Sequence, residues 1–147
     1  MGEYHNSIDE KSRLLLPSRL RSEIAGNALI LTRGVDKCLW LFPPEEWRKI
    51  SDSIMGSSSM FKSKTRLLQR RIIAPAQECE IDKNGRISIP PTLRESAEMK
   101  LKGEAVILGI DSYMELWDID AYGEYLQESE SDFQEAAEEL GELLSMQ

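Results

Sequence analysis

The chain is predicted to be mainly β with short helices, an α+β arrangement. Two copies of one small unit would form half-barrels related by a pseudo-two-fold axis, joining into a small β-barrel with linker and C-terminal helices attached. A duplicated block carries this expectation. Ile8-Asp9-Glu10-Lys11-Ser12-Arg13-Leu14-Leu15-Leu16-Pro17-Ser18-Arg19-Leu20-Arg21 is answered by Ile81-Asp82-Lys83-Asn84-Gly85-Arg86-Ile87-Ser88-Ile89-Pro90-Pro91-Thr92-Leu93-Arg94. Six positions are identical (Ile8/Ile81, Asp9/Asp82, Arg13/Arg86, Pro17/Pro90, Leu20/Leu93, Arg21/Arg94), and Leu14/Ile87 and Leu16/Ile89 are aliphatic swaps. The second observation is a set of short apolar runs with a period of two, bounded by Gly, Pro and Asn. The third is that similarity resumes downstream: Leu31 to Asp36 matches Val106 to Asp111, Leu41-Phe42 matches Leu116-Trp117, and Trp47 matches Tyr122. A single duplication of this length is too long a period for a solenoid and suggests an internal pseudo-dimer.

Each copy reads as strand, turn, strand, short helix and two further strands. In the second, Glu78 to Ile81 is a strand and Asp82-Lys83-Asn84-Gly85 a turn, because Asn and Gly tolerate positive φ. Arg86 to Ile89 alternates polar and apolar, Pro90-Pro91 ends the ladder, and Thr92 to Met99 is the helix. In the first, Leu14-Leu15-Leu16 is followed by Pro17, a helix over Ser18 to Ala25 and a stop at Gly26. Ala28 to Thr32 and Cys38 to Phe42 flank a hairpin turn at Gly34 to Lys37. Val106 to Leu108 and Met114 to Trp117 flank Gly109 to Tyr113 in the same way. Between the copies, Trp47, Ile50 and Ile54 keep a helical spacing until Gly56-Ser57-Ser58-Ser59. Met60 to Ile73 is helix-like, with Lys62, Lys64, Arg66, Arg70 and Arg71 and no acid. After Ala121, Tyr122, Leu126, Phe133, Ala137, Leu140 and Leu144 lie near helical spacing, which predicts a surface helix fraying into a mobile acidic end. The expected division is a first repeat at 1–50, a basic helical linker at 51–75, a second repeat at 76–122 and an acidic helix or tail at 123–147.

The net charge of −8 averages two unlike regions. All 18 basic residues lie within 1–102, against 13 acids, for a balance of +5, and the remainder carries −13. Such asymmetry points to polyanion contact by the basic part. No apolar run approaches a membrane span, and Met1-Gly2-Glu3-Tyr4-His5-Asn6 lacks the basic and apolar regions of a signal peptide, so the expected compartment is the cytoplasm. Cys38 and Cys79 belong to no paired motif and are expected to be reduced and mostly buried. His5, the single histidine, lies near a start expected to be mobile, which leaves little material for a metal centre or a Ser-His-Asp arrangement. No glycine-rich phosphate loop occurs. Catalytic, metal, cofactor and small-molecule substrate sites are therefore not expected.

The repeated block has its own chemistry. Asp9 with Arg13, and Asp82 with Arg86, set a carboxylate and a guanidinium four positions apart across a turn. The Asp can accept turn amide hydrogens or orient the Arg, and a plain local salt bridge is the bland alternative. Duplication favours more: two related loops, carrying Lys11 and Lys83 beside the arginines, would form a paired cationic edge suited to phosphates and guanine faces. Arg21 and Arg94, equally placed in each helix, add phosphate contacts, cap helix carbonyls or pair with Glu.

The pattern D-x-x-G-R, aliphatic strand, P, then L-R resembles the AbrB-like swapped-hairpin DNA-binding family, and its tandem use on one chain is similar to the MraZ family of bacterial transcriptional regulators. The resemblance covers both repeats and the linker, including Leu67-Leu68, Arg70-Arg71, Glu78-Cys79 and Leu116-Trp117-Asp118. It implies DNA contact by Arg13 and Arg86, helped by Lys11 and Lys83; the residues themselves add Arg21 and Arg94 as DNA-binding candidates and Asp9, Asp82 and Gly85 as the structure of the loops. It also implies a nucleoid-associated homo-oligomeric ring binding tandem direct repeats of double-stranded DNA, and repression of a division and cell-wall gene cluster that contains its own gene. Ser12 stands where the family often has glycine, so the first loop is expected to be stiffer or differently shaped. A protein-partner module of the AbrB-like antitoxin type, using the acidic tail, is the alternative.

Overall fold

The computed structural model describes residues 1–56 and 61–146. Strands β1 (Gly2–Ser7), β2 (Arg13–Leu15), β3 (Ala28–Arg33) and β4 (Leu39–Phe42) belong to the first repeat, with helices α1 (Ser18–Arg21) and α2 (Pro44–Gly56). Helix α3 (Ser63–Leu68) continues into a π-helical turn at Gln69–Ile73. The second repeat supplies β5 (Gln77–Glu80), β6 (Arg86–Ser88), α4 (Pro91–Ser96), β7 (Glu104–Ile110), β8 (Tyr113–Asp118) and α5 (Ile119–Glu128), and α6 (Glu130–Ser145) follows. Helices α2 and α5 run through residues 50 and 122. The expected break at Ser57-Ser58-Ser59 and the helix start at Met60 lie outside the described residues.

The two repeats exchange strands. One antiparallel sheet runs β1-β7-β8-β4-β3-β5, and β2 pairs with β6 in a separate two-stranded ribbon. Each repeat's first strand thus lies on the other repeat's third, β1 on β7 and β5 on β3. The pseudo-dyad passes between Leu14 and Ile87, paired equivalents at the centre of the ribbon. It passes again between Trp40 and Glu115 at the centre of the sheet. The mainly β class with short helices is the one observed, but the sheets are not closed: β1 and β5 remain edges, so the half-barrels interlock without forming a hydrogen-bonded barrel. Charged and polar residues occupy these edges (Glu3, His5, Glu78, Glu80), which discourages further strand addition.

Period-two alternation sends one side of every inner strand into a common core. Leu29, Leu31, Leu39, Leu41, Ala105, Ile107, Met114 and Leu116 meet Leu14, Leu16, Ile87 and Ile89 from the ribbon and Leu20 and Leu93 from the short helices. The register corrects the downstream match read from the sequence. Ser7 pairs with Glu104 where its equivalent Glu80 pairs with Ala28, so Ala28 corresponds to Glu104 and Leu31 to Ile107, not Val106. A slip of one residue moves a side chain to the opposite face, and Val106 does lie on the other side with Cys38 and Trp117. There the repeats again act alike: Phe42 receives Trp47 of α2 at 5.7 Å, and Trp117 receives Tyr122 of α5 at 5.2 Å. The Glu115 carboxylate accepts from both indoles, Trp40 Nε1 at 3.2 Å and Trp117 Nε1 at 3.0 Å.

Several elements depart from expectation. The start is not a mobile tail, since Gly2–Ser7 forms β1 and Tyr4 packs against the core. The helix expected over Ser18 to Ala25 ends at Arg21, where Ser22 Oγ donates to Arg19 O and Gly26 takes φ +79°. Helix α4 ends at Ser96, before the expected Met99. Glu98 turns left-handed at φ 57°, while its amide bonds Glu95 O and the Met99 amide bonds Arg94 O, a Schellman closure without glycine. The basic helix switches to π geometry at Gln69–Ile73, held by Ala74 N–H on Gln69 O and by Thr32 Oγ1 on Ile72 O. The acidic end is helical to Ser145. Cys38 is buried and Cys79 half-buried, both as free thiols. Burial pushes the Cys79 thiol up to about 11, with Glu78 adding to the shift.

Candidate nucleic-acid interface

The ribbon presents two loops of one geometry. In the first, Asp9 N–H donates to Arg13 O at 2.9 Å and Ser12 N–H to Asp9 O at 3.1 Å. Asp9 Oδ1 accepts from the amides of Lys11 (2.9 Å) and Arg13 (2.8 Å). In the second, Asp82 N–H donates to Arg86 O at 2.9 Å and Gly85 N–H to Asp82 O at 3.0 Å. Asp82 Oδ1 accepts from the amides of Asn84 (2.8 Å) and Arg86 (3.0 Å). Each Asp thus stands in for a backbone carbonyl across the turn. These bonds favour the ionised form: the Arg13 amide is the main cause of the lowered Asp9 pKa, and the Arg86 amide of the lowered Asp82 pKa.

Ser12 does not alter the loop. It adopts φ 64° where Gly85 has φ 83°, so both loops turn through the left-handed region. A non-glycine residue is strained there. The Ser12 hydroxyl offsets the strain by donating to Ile89 O at 2.7 Å and accepting from Arg94 Nε at 3.1 Å. The equivalent space at Gly85 is filled by Arg21, whose Cζ lies 2.6 Å from where a Cβ would be. Arg21 Nε donates to Leu16 O at 3.0 Å, and Arg94 Nη1 to Met99 O at 3.1 Å. These carbonyls lie just before α1 and just beyond α4, so neither bond caps a helix end, and each guanidinium lies against the other repeat's loop, Arg21 at Gly85 and Arg94 at Ser12. This exchange was not readable from the sequence. Its only trace was the pairing of Ser12 with Gly85, since the partners lie more than sixty residues away along the chain.

The remaining side chains face outward. Leu14 and Ile87 are fully buried, so alternation leaves Arg13, Leu15, Arg86 and Ser88 on the solvent side of the ribbon. Arg13 lies opposite Ser88 and Arg86 opposite Leu15, which makes the arginines diagonal neighbours across the dyad. They differ in engagement. Arg13 Nε donates to Asp9 Oδ2 at 2.8 Å, leaving its terminal nitrogens, whereas no ion pair within 4.0 Å joins Arg86 to a carboxylate among the described residues. The Arg13 charge also acts on Asp82, so the loops share one field. Lys11 and Lys83 are exposed at the loop tips. Asn6 Nδ2 donates to Leu15 O at 2.7 Å and ties the ribbon to β1. Elsewhere, His5 Nε2 lies 3.4 Å from Glu3 Oε2 on the β1 edge, and no group of three His, Cys, Asp or Glu among the described residues could hold a metal ion. No helix among them is long and apolar enough to cross a membrane.

Comparison with known proteins agrees with this duplicated architecture. The family model described as "MraZ protein, putative antitoxin-like" matches twice, at residues 1–71 and 72–143. A protein of Treponema denticola named transcriptional regulator MraZ is 53% identical over 142 residues, covering 97% of both chains. Proteins of the same name from Treponema pallidum and Halothermothrix orenii are 44% and 40% identical, each over 97% of this chain and over 94% and 97% of their own. The chain belongs to the MraZ family.

Proposed function

We propose that the β2-β6 ribbon and its two loops bind double-stranded DNA, and that the chain is a sequence-specific transcriptional regulator acting as a repressor. The carrying observation is the pair of equivalent Asp-braced loops, which offer two arginines and two lysines on one solvent face around a dyad. Relatives named as transcriptional regulators support the regulatory role. In this reading Arg86, whose guanidinium has no carboxylate within 4.0 Å among the described residues, is the principal base reader. Arg13 contributes its terminal nitrogens, Lys11 and Lys83 hold phosphates as point charges, and Arg21 and Arg94 position the loops.

Magnitudes require more than one chain. Four cationic contacts give a salt slope of about −3 to −4 and weak binding once association costs are counted. A repressor must also compete with a genome of non-specific sites. A rigid homo-oligomer presenting several ribbons gains about 10²–10⁴ in avidity on tandem direct repeats. The target proposed is DNA upstream of its own division and cell-wall gene cluster, with a nucleoid-associated cytoplasmic location. Binding to that DNA, measured beside scrambled DNA of equal length, should differ by at least tenfold, and equal affinities would reject the reading. The antitoxin-like alternative draws on the exposed acidic α6. A stoichiometric protein partner recovered without DNA would favour it.

A further inference from the structure

We propose that α6 is the docking arm of the assembly and seats its apolar stripe on the basic face of α3 in a second copy of this chain. The inference rests on the homo-oligomer reading above and names its contact. Helix α6 has no buried residue and packs chiefly on α5. Yet Phe133, Ala136, Ala137, Leu140, Leu143 and Leu144 repeat at i, i+3, i+4, i+7, i+10 and i+11, a continuous stripe along one side. Phe133 is 65% exposed and Leu140 56%, a large apolar surface to leave on one helix. Every charged residue of α6 is acidic, with Asp132 and Glu139 bordering the stripe. Pairing two α6 helices would bring like charges together. The partner has to be cationic and apolar at once.

Helix α3 has that character. Lys64, Leu67 and Leu68 follow i, i+3 and i+4, Arg71 lies in the π turn just beyond, and Thr65 and Ile72 are buried and anchor the segment. Leu67 and Leu68 are 52% and 43% exposed, and no acid occurs between Lys62 and Gln77. The rise from Phe133 to Leu144 is about 16 Å and from Lys64 to Leu68 about 6 Å, so the shorter stripe fits within the longer.

Helix α2 and the π turn after α3 pack on β3, in the half of the sheet opposite β7 and β8, where α5 packs. The direction of α6 is set at Ser129, whose amide and Oγ both bond Tyr125 O while the Phe133 amide bonds Ser129 O. Tyr122 and Tyr125 hold α5 on Trp117. Phe133 and Ala136 border a cleft with Asp36, Tyr125 and Leu126, and Leu140, Leu143 and Leu144 beyond it are left exposed. Joining α6 of one copy to α3 of the next is a heterologous contact, the kind that closes into rings.

The test is charge reversal read by light scattering without DNA, with circular dichroism as the check on folding. One variant carries Lys64→Glu and Arg71→Glu, the other Asp132→Lys and Glu139→Lys. Each alone should fall at least twofold in molar mass below the wild-type assembly, and an equal mixture should restore the full mass, because reversed arms meet reversed faces. Wild-type mass in both separate variants, or a mixture that stays dissociated, overturns the docking while the oligomer reading stands. A wild-type chain that is monomeric at every concentration overturns the oligomer reading itself. A second measurement places Leu68→Cys and Leu140→Cys in one chain. Oxidation should yield an intermolecular ladder, and an intrachain disulfide in a monomer would overturn the proposal.

Discussion

Gly85→Ala tests whether the two loops are held as the geometry describes. Gly85 sits at φ +83°, where an L side chain costs about 1–2 kcal/mol. The added Cβ would meet Arg21 Cζ at 2.6 Å and Nη1 at 2.7 Å. That guanidinium is the far end of a flexible side chain, so it moves aside at little steric cost. In moving it loses the bond from Nε to Leu16 O, worth about 1–2 kcal/mol for a charged donor in a half-buried setting. The sum, about 2–4 kcal/mol, corresponds to a fall in Tm of roughly 5–15 °C for a chain of this size. Ser12→Gly at the equivalent position should behave differently. It relieves the strain at φ 64° but forfeits the bonds to Ile89 O and Arg94 Nε, so the changes offset to within about 1 kcal/mol. Calorimetric melts of the two variants measure the contrast. A Gly85→Ala protein melting within about 1 °C of wild type would refute the described packing of Arg21 on the second loop.

Three further outcomes are expected. Lys11→Ala should weaken binding to all DNA sequences alike and reduce the salt slope by about one unit, as read from titrations at several ionic strengths. Leu14→Ala, at the dyad with its neighbour fully buried, should cost about 2–5 kcal/mol in denaturant unfolding, whereas Leu15→Ala on the exposed face should cost little. Asp9 and Asp82 titrate below the ordinary value of 3.8 in the folded protein, so the loop bonds they accept are complete above that value and are lost as pH falls through the depressed one. Carboxyl NMR titration should give both midpoints below 3.8, and midpoints at or above it would remove the amide bonds from the account.

What was legible in the sequence was what depends on local pattern. Duplication announced the pseudo-dyad, alternation at Arg86 to Ile89 announced a strand with one buried face, and Asn84-Gly85 announced a turn. Strand β1 was not legible, because Gly2–Ser7 is a polar edge whose order comes from pairing with β7 rather than from its own composition. The one-residue slip between β3 and β7 was hidden because both strands carry apolar residues on their two faces near Leu31 and Val106. A hairpin of different length in each repeat restores the match downstream. For the candidate site, the outward positions of Arg13 and Arg86 followed from the strand pattern. The inward turn of Arg21 and Arg94 did not, because the loop each lies against, at Gly85 and at Ser12, is brought near only by the fold. Arg86 also looked identical to Arg13, and only the geometry shows that both amides bond their Asp while the Arg13 guanidinium alone does so as well.

The most direct test of the central claim is a repeat-number series with and without the loop arginines. Wild-type protein is titrated against DNA of one length carrying one, two or three direct repeats from upstream of its own gene, and Arg13→Ala/Arg86→Ala is titrated in parallel. Wild-type affinity should climb steeply with repeat number. The double variant, native in circular dichroism and assembly size, should lose about 1–3 kcal/mol for each base contact and with it the preference over scrambled DNA. A double variant that binds the three-repeat DNA as tightly and as selectively as wild type would contradict the assignment of these loops as the DNA-reading surface.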